Sequence, residues 1–168
     1  MSERIEFVVR AVLIGVGATL VMDAWALALK RVGVPSLNFA LVGRWIGHLP
    51  EGRWVHESIA RASAVRGEAL IGWGAHYATG ITFSALTLAV FGLKWARSPS
   101  LLPALAIGVV TVVAPLLILQ PALGAGVASS KTAAPLFNSM KSVVTHTVYG
   151  AGLYLAALTT AALLPTAR

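Results

Sequence analysis

Two histidines and one aspartate lie inside long apolar runs of this sequence: His76, His146 and Asp23. An ionisable group is costly in hydrocarbon, so each is a candidate for function. The histidines share a spacing, His76-x-x-x-Gly80 and His146-x-x-x-Gly150. Two imidazoles on separate helices suit the axial positions of a haem iron, with the two glycines clearing room for a flat ring. With Asp23 they also form a two-histidine, one-carboxylate set for iron, manganese or zinc. The same groups could relay a proton or small cation. They could instead serve only as interhelical hydrogen bonds in a structural membrane subunit. The expected cofactor ligands are therefore His76 and His146, for haem b or a divalent metal, with Asp23 as a third metal ligand. Gln120, His56, Glu57, Tyr77, Tyr149 and Lys131 are secondary candidates.

Other patterns carry less chemistry. His56-Glu57-Ser58-Ile59-Ala60 begins like a zinc-protease helix, but position 60 is not the second histidine. His56 and Glu57 read as a solvated or lid-like loop pair, and His48 beside Trp45 as interfacial. Ser129, Ser130 and Lys131 could supply a Ser–Lys nucleophile pair. A polar loop near lipid head groups is the plainer reading. Gly124-Ala125-Gly126 lacks the Gly-Lys-Ser/Thr ending of a phosphate loop. Nothing matches a soluble hydrolase, and the balance leans away from an enzyme.

The elements that must position these groups are long apolar helices. The 168 residues are 57% hydrophobic and 11% charged, with mean hydropathy +0.80. A soluble domain carries about 25% charged residues, so the solvent for much of this chain is lipid. The fold expectation is an all-α, four-span membrane bundle in a single domain, 1–168. Its spans cover about 7–29, 69–93, 101–119 and 138–164, with an interfacial or loop segment over 30–68. Ala26-Leu27-Ala28 has the form of a signal-peptide cleavage site, but Asp23 and Trp25 beside it argue for a retained first span. Residues from Leu37 to Gly47 predict an amphipathic helix in the interface, and those from Val55 to Ser63 a second short one. Pro115 should kink the third span.

Geometry along the helices brings the candidates together. His76 and His146 lie roughly 7–10 Å below their helix starts, and Asp23 falls at a similar depth. Gly15, Thr19, Asp23 and Lys30 share a stripe of the first span. Gly72, His76, Gly80, Ser84 and Thr87 share one of the second, and Ser139, Ser142, His146, Tyr149 and Gly150 one of the fourth. Small and polar residues at this spacing mark packing faces. An internal repeat is also expected: residues 11–16 resemble 104–109, and His76-x-x-x-Gly80 resembles His146-x-x-x-Gly150.

The net charge of +7 does not point to nucleic acid, because the basic residues flank apolar runs instead of forming one patch. Five basic residues fall on the side of the termini and eight on the other, which leans towards cytoplasmic first and third loops. The chain has no cysteine. The partners expected are the lipid bilayer and either a second copy or another membrane subunit.

Residues 40–50, His56 to Ala60, Gly72-Trp73-Gly74-Ala75-His76-Tyr77 and Gln120-Pro121 resemble a family of small four-span bacterial inner-membrane proteins known only as a domain of unknown function. The resemblance covers nearly the whole chain. It implies a multi-pass inner-membrane location and a bacterial source. It implies no activity and no catalytic residues.

Overall fold

The computed structural model describes residues 2–164, and these are helical, with no strand among them. Helix α1, Glu3–Arg31, opens on Ser2, whose hydroxyl accepts from the Ile5 amide. Glu3 and Glu6 stand at its positive end and Lys30 and Arg31 at its negative end, as the helix dipole favours. Helix α2, Phe39–His48, is capped by Asn38. A turn of 3-10 helix, Leu49–Glu51, then ends on Gly52 at φ 75°. Helix α3, Glu68–Arg97, carries a break at Gly92 (φ 73°, ψ 169°). That conformation is open to glycine and strained for other residues.

Helix α4, Leu101–Thr111, gives way to a π-helical turn, Ala114–Leu119, in which the Gln120 amide reaches back five residues to the Pro115 carbonyl. The kink expected at Pro115 thus takes the form of a widened turn, because proline has no N–H for the regular ladder. Helix α5, Gln120–Ala122, is one short turn, and α6 runs Pro135–Leu163. Of the two short helices expected in the first loop, α2 forms. The stretch from Val55 to Ser63 does not, and holds only the 3-10 turn Ile59–Arg61.

Among the described residues, three helices are long and apolar enough to cross a membrane: Glu3–Arg31, Glu68–Arg97 and Leu101–Ala122. Helix α6 has comparable length, but Asn138, Ser139, Lys141, Ser142 and His146 make it more polar.

The chain divides into two compact units. The first comprises Met1–Val34, Tyr77–Thr111 and Thr145–Arg168, and the second Pro35–His76 and Val112–Val144. In the first, Ile14, Ala18, Leu88, Ala104, Leu153 and Ala157 are buried in one apolar core. Two glycine crossings bring its helices backbone to backbone. A Cβ on Gly15 would stand 2.5 Å from Ile81 Cα, and one on Gly108 2.7 Å from Gly150 Cα. These crossings pair α1 with α3 and α4 with α6, at matching positions of the two sequence repeats. The echo of residues 11–16 in 104–109 therefore has a packing counterpart. In the second unit α2 crosses the start of α3, where side chains on Gly43 and Gly72 would run into the Glu68 and Phe39 carbonyls.

Candidate functional site

In the first unit, every ionisable or phenolic candidate is engaged by a neighbouring helix. Asp23 on α1 accepts a 2.9 Å hydrogen bond from the Tyr77 hydroxyl on α3. Tyr149 on α6, 2% exposed, donates at 2.6 Å to the Gly80 carbonyl on α3. That carbonyl lies at the α1–α3 crossing, so the phenol closes α6 onto the same point. His146 is buried with Nδ1 3.1 Å from the Thr111 hydroxyl of α4. Thr111 also donates at 2.8 Å to the Gly108 carbonyl. A hydroxyl has one hydrogen, so that bond makes His146 Nδ1 the N–H that donates to Thr111. Phe83 packs near both the His146 and Tyr149 rings.

His76 belongs to the second unit, where its ring stacks on Phe39 with centroids 4.1 Å apart and stands edge-on to Trp73. Among the described residues no group of three or more His, Cys, Asp or Glu is placed to hold a metal ion. Asp23 and His146 of the expected set belong to the first unit and His76 to the second. The room expected for a flat ring is also absent. A Cβ on Gly80 would collide with the Thr19 hydroxyl, and one on Gly150 would lie 2.8 Å from the Ala104 carbonyl. Both glycines are spent on helix contact. Of the expected stripes, Gly15, Thr19, Gly72, Gly80, Ser84, Thr87, His146, Tyr149 and Gly150 are buried, Asp23, His76, Ser139 and Ser142 are half-buried, and Lys30 is exposed.

The second unit holds two polar clusters that the sequence reading underrated. His48 and His56, 3% and 7% exposed, face each other with Nδ1 of the first 2.9 Å from Nε2 of the second. His56 is therefore no solvated loop residue, and His48 is buried beside it. The Leu49–Glu51 turn brings the chain back on itself. The His56 and Ile59 amides then donate to the Ala122 and Leu123 carbonyls, fixing the loop. His56 Nδ1 is buried without a hydrogen-bond partner. Glu57 beside it is exposed.

One helical turn before His48, Arg44 forms a two-pronged ion pair with Glu68 at 2.8 and 2.9 Å and donates to the carbonyls of Ile59, Ala60 and Ala62. The Glu68 carboxylate raises the guanidinium pKa above its ordinary value. Arg44 thereby stitches α2, the loop and the start of α3 together.

The other cluster is centred on Gln120, whose amide donates to Ser142 at 3.2 Å and accepts from Ser129 at 3.0 Å. Ala128 and Ser129 hold left-handed backbone angles, φ 48° and 60°. Such strain persists only where the surroundings impose it. Here the Ser139 hydroxyl holds the Ala128 carbonyl at 2.8 Å. Lys131 is exposed, and no hydrogen bond joins it to Ser130 among the described residues.

The Glu6–Arg10 spacing of four residues is a sequence signal for the helix ion pair that forms there. No local signal marks Arg44 and Glu68, which are 24 positions apart. No curated protein and no solved structure matches the sequence. The family model described as "Protein of unknown function (DUF2938)" matches residues 12–160, which include every candidate named above, and the chain belongs to that family.

Proposed function

We propose that this is a four-span protein of the bacterial inner membrane in which the intramembrane polar residues clamp helix to helix, so that it serves as a structural membrane subunit. The observation carrying the reading is the Asp23–Tyr77 bond. The one carboxylate well inside an apolar helix accepts from a phenol on the neighbouring helix. The Tyr149–Gly80 and His146–Thr111 contacts follow the same pattern. The resemblance noted in the sequence and the clustering of basic residues at helix ends support the membrane assignment.

A fourth crossing by α6 fits its dimensions. Twenty-nine residues reach about 43 Å, against a hydrocarbon core of about 30 Å. Its buried face carries His146, Tyr149, Leu153, Ala157 and Thr160, so much of its polarity is turned away from lipid. Single cysteines at Ser2, Ser63, Ser98 and Ser130 test this in a chain that has none of its own. Impermeant maleimide added to one face of the membrane should label Ser2 and Ser98 together, and added to the other face Ser63 and Ser130. Any other partition removes the four-span reading.

The clamp reading predicts small, local losses. Asp23→Asn and Tyr77→Phe should each lower stability by about 1 kcal/mol, the usual worth of an interhelical bond in a membrane. The double variant should cost less than the sum of the two single ones, because both weaken the same bond. Thermal unfolding in detergent measures this, and the purified protein's visible spectrum and elemental content accompany it. A Soret band, or a stoichiometric metal lost in His146→Ala, would replace the clamp reading with a cofactor site.

A further inference from the structure

We propose that the turn between α3 and α4 binds the phosphate of an anionic membrane lipid, an inference that rests on the membrane assignment above. A shallow, open hollow of about 300 Å³ lies there, lined by Phe91, Lys94, Trp95, Ser98 and Ser100. That volume lies at the small end of the range for ligand pockets and suits a head group rather than a whole lipid. Lys94 is exposed, and its ammonium makes no hydrogen bond or ion pair among the described residues. The neighbouring Arg97 is instead committed to Glu6 at 2.6 and 2.9 Å. The ammonium group offers three N–H donors, and the Ser98 and Ser100 hydroxyls add two more. Donors around one cation make a phosphate site, since charge-assisted hydrogen bonds are the stronger class.

The turn is built to hold this shape. Gly92 interrupts α3 just before Lys94 and re-aims its last turn. Trp95, 6% exposed, is wedged beneath, and its indole N–H closes the loop on the Ser100 carbonyl at 3.1 Å. The surroundings favour a lipid over a soluble phosphate. The hollow lies where the apolar α3 ends and the apolar α4 begins. Phe91 in its lining is 38% exposed, and Val90, Leu101 and Leu102, next in the chain to lining residues, are 59%, 46% and 77% exposed. Acyl chains would cover these side chains, while a free anion would leave them in water. Tryptophan at head-group level is a recurrent feature of such boundaries.

The experiment places the full chain in nanodiscs of phosphatidylcholine with and without phosphatidylglycerol and follows acetylation of Lys94 by peptide mass spectrometry. Lys30, exposed at the end of α1, reports general attraction of anionic lipid to basic residues. Phosphatidylglycerol should slow acetylation of Lys94 about tenfold, as a ligand at roughly ten times its dissociation constant would, and leave Lys30 nearly unchanged. The Ser98→Ala, Ser100→Ala double variant keeps the lysine and should bring its protection down to that of Lys30. Equal protection of both lysines overturns the site, and so does equal protection by inorganic phosphate in phosphatidylcholine discs. A chain that inserts with the expected topology but leaves Lys94 unprotected loses only the head-group site. A chain that fails the topology test loses the membrane reading itself.

Discussion

Arg10→Ala is expected to lower stability by about 3–5 kcal/mol, the cost of breaking a buried charged pair by removing one partner. Arg10 is 1% exposed on the first turns of an apolar helix. Its guanidinium bonds Glu6 on its own helix at 2.8 Å, the Ala96 carbonyl of α3 at 3.2 Å and the Leu164 carbonyl just beyond α6 at 2.7 Å. Glu6 in turn holds Arg97 of α3. One planar fork therefore ties three helices of the first unit at one end. The alanine variant leaves Glu6 with only the half-exposed Arg97 and strands two carbonyls at helix ends. Arg10→Lys should rescue little, because an ammonium cannot reproduce the fork that reaches three partners at once. Arg97→Ala should be much milder, since its side chain is 37% exposed. Equilibrium unfolding of the three variants in mild detergent gives the ranking. A loss for Arg10→Ala no larger than that for Arg97→Ala would show that the network does not hold the helices.

What could be read from the sequence, and what could not, follows from the range of each interaction. The apolar runs around Asp23 and His76 marked α1 and α3 because hydropathy is a local sum. The inward stripes were legible because Gly15, Gly80 and Gly150 fall at helical spacing with Thr19, Ser84 and His146. The partners were not legible. Asp23 accepts from Tyr77, and no local signal ties two residues 54 positions apart. The roles of Gly80 and Gly150 were misread for a related reason. A missing side chain makes room equally for a cofactor or for another backbone, and only the fold says which. His56 looked solvated because the stretch around it is polar, and His48 interfacial because it stands beside Trp45, yet the turn at Leu49–Glu51 buries them against each other. The Gln120 cluster depends on left-handed angles at Ala128 and Ser129 that their residue types do not announce.

The glycine crossing of the second unit yields the sharpest contrast between neighbouring substitutions. Gly72→Ala is expected to cost about 2–3 kcal/mol, in the upper part of the range for an overpacked contact. Its new methyl group would point into the Phe39 carbonyl of α2, and a methyl on Gly43 would point into the Glu68 carbonyl of α3. The atoms in the way are backbone, so no rotamer change can make room and the two helices must move apart. Moving apart would stretch the Arg44–Glu68 ion pair and loosen the Phe39–His76 stack beside it. Gly74→Ala, two residues along the same helix, should do the opposite. Nothing lies within 4 Å of the Cβ it would add. Replacing glycine by alanine inside a helix contributes up to about 1 kcal/mol. Local helix propensity favours alanine at both positions by the same amount, so the difference between the variants reports the crossing alone. Melting temperatures of Gly72→Ala, Gly43→Ala and Gly74→Ala measured side by side decide it. If Gly72→Ala and Gly74→Ala shift the melt in the same direction, the close approach of α2 and α3 at Gly43 and Gly72 is not what holds this unit.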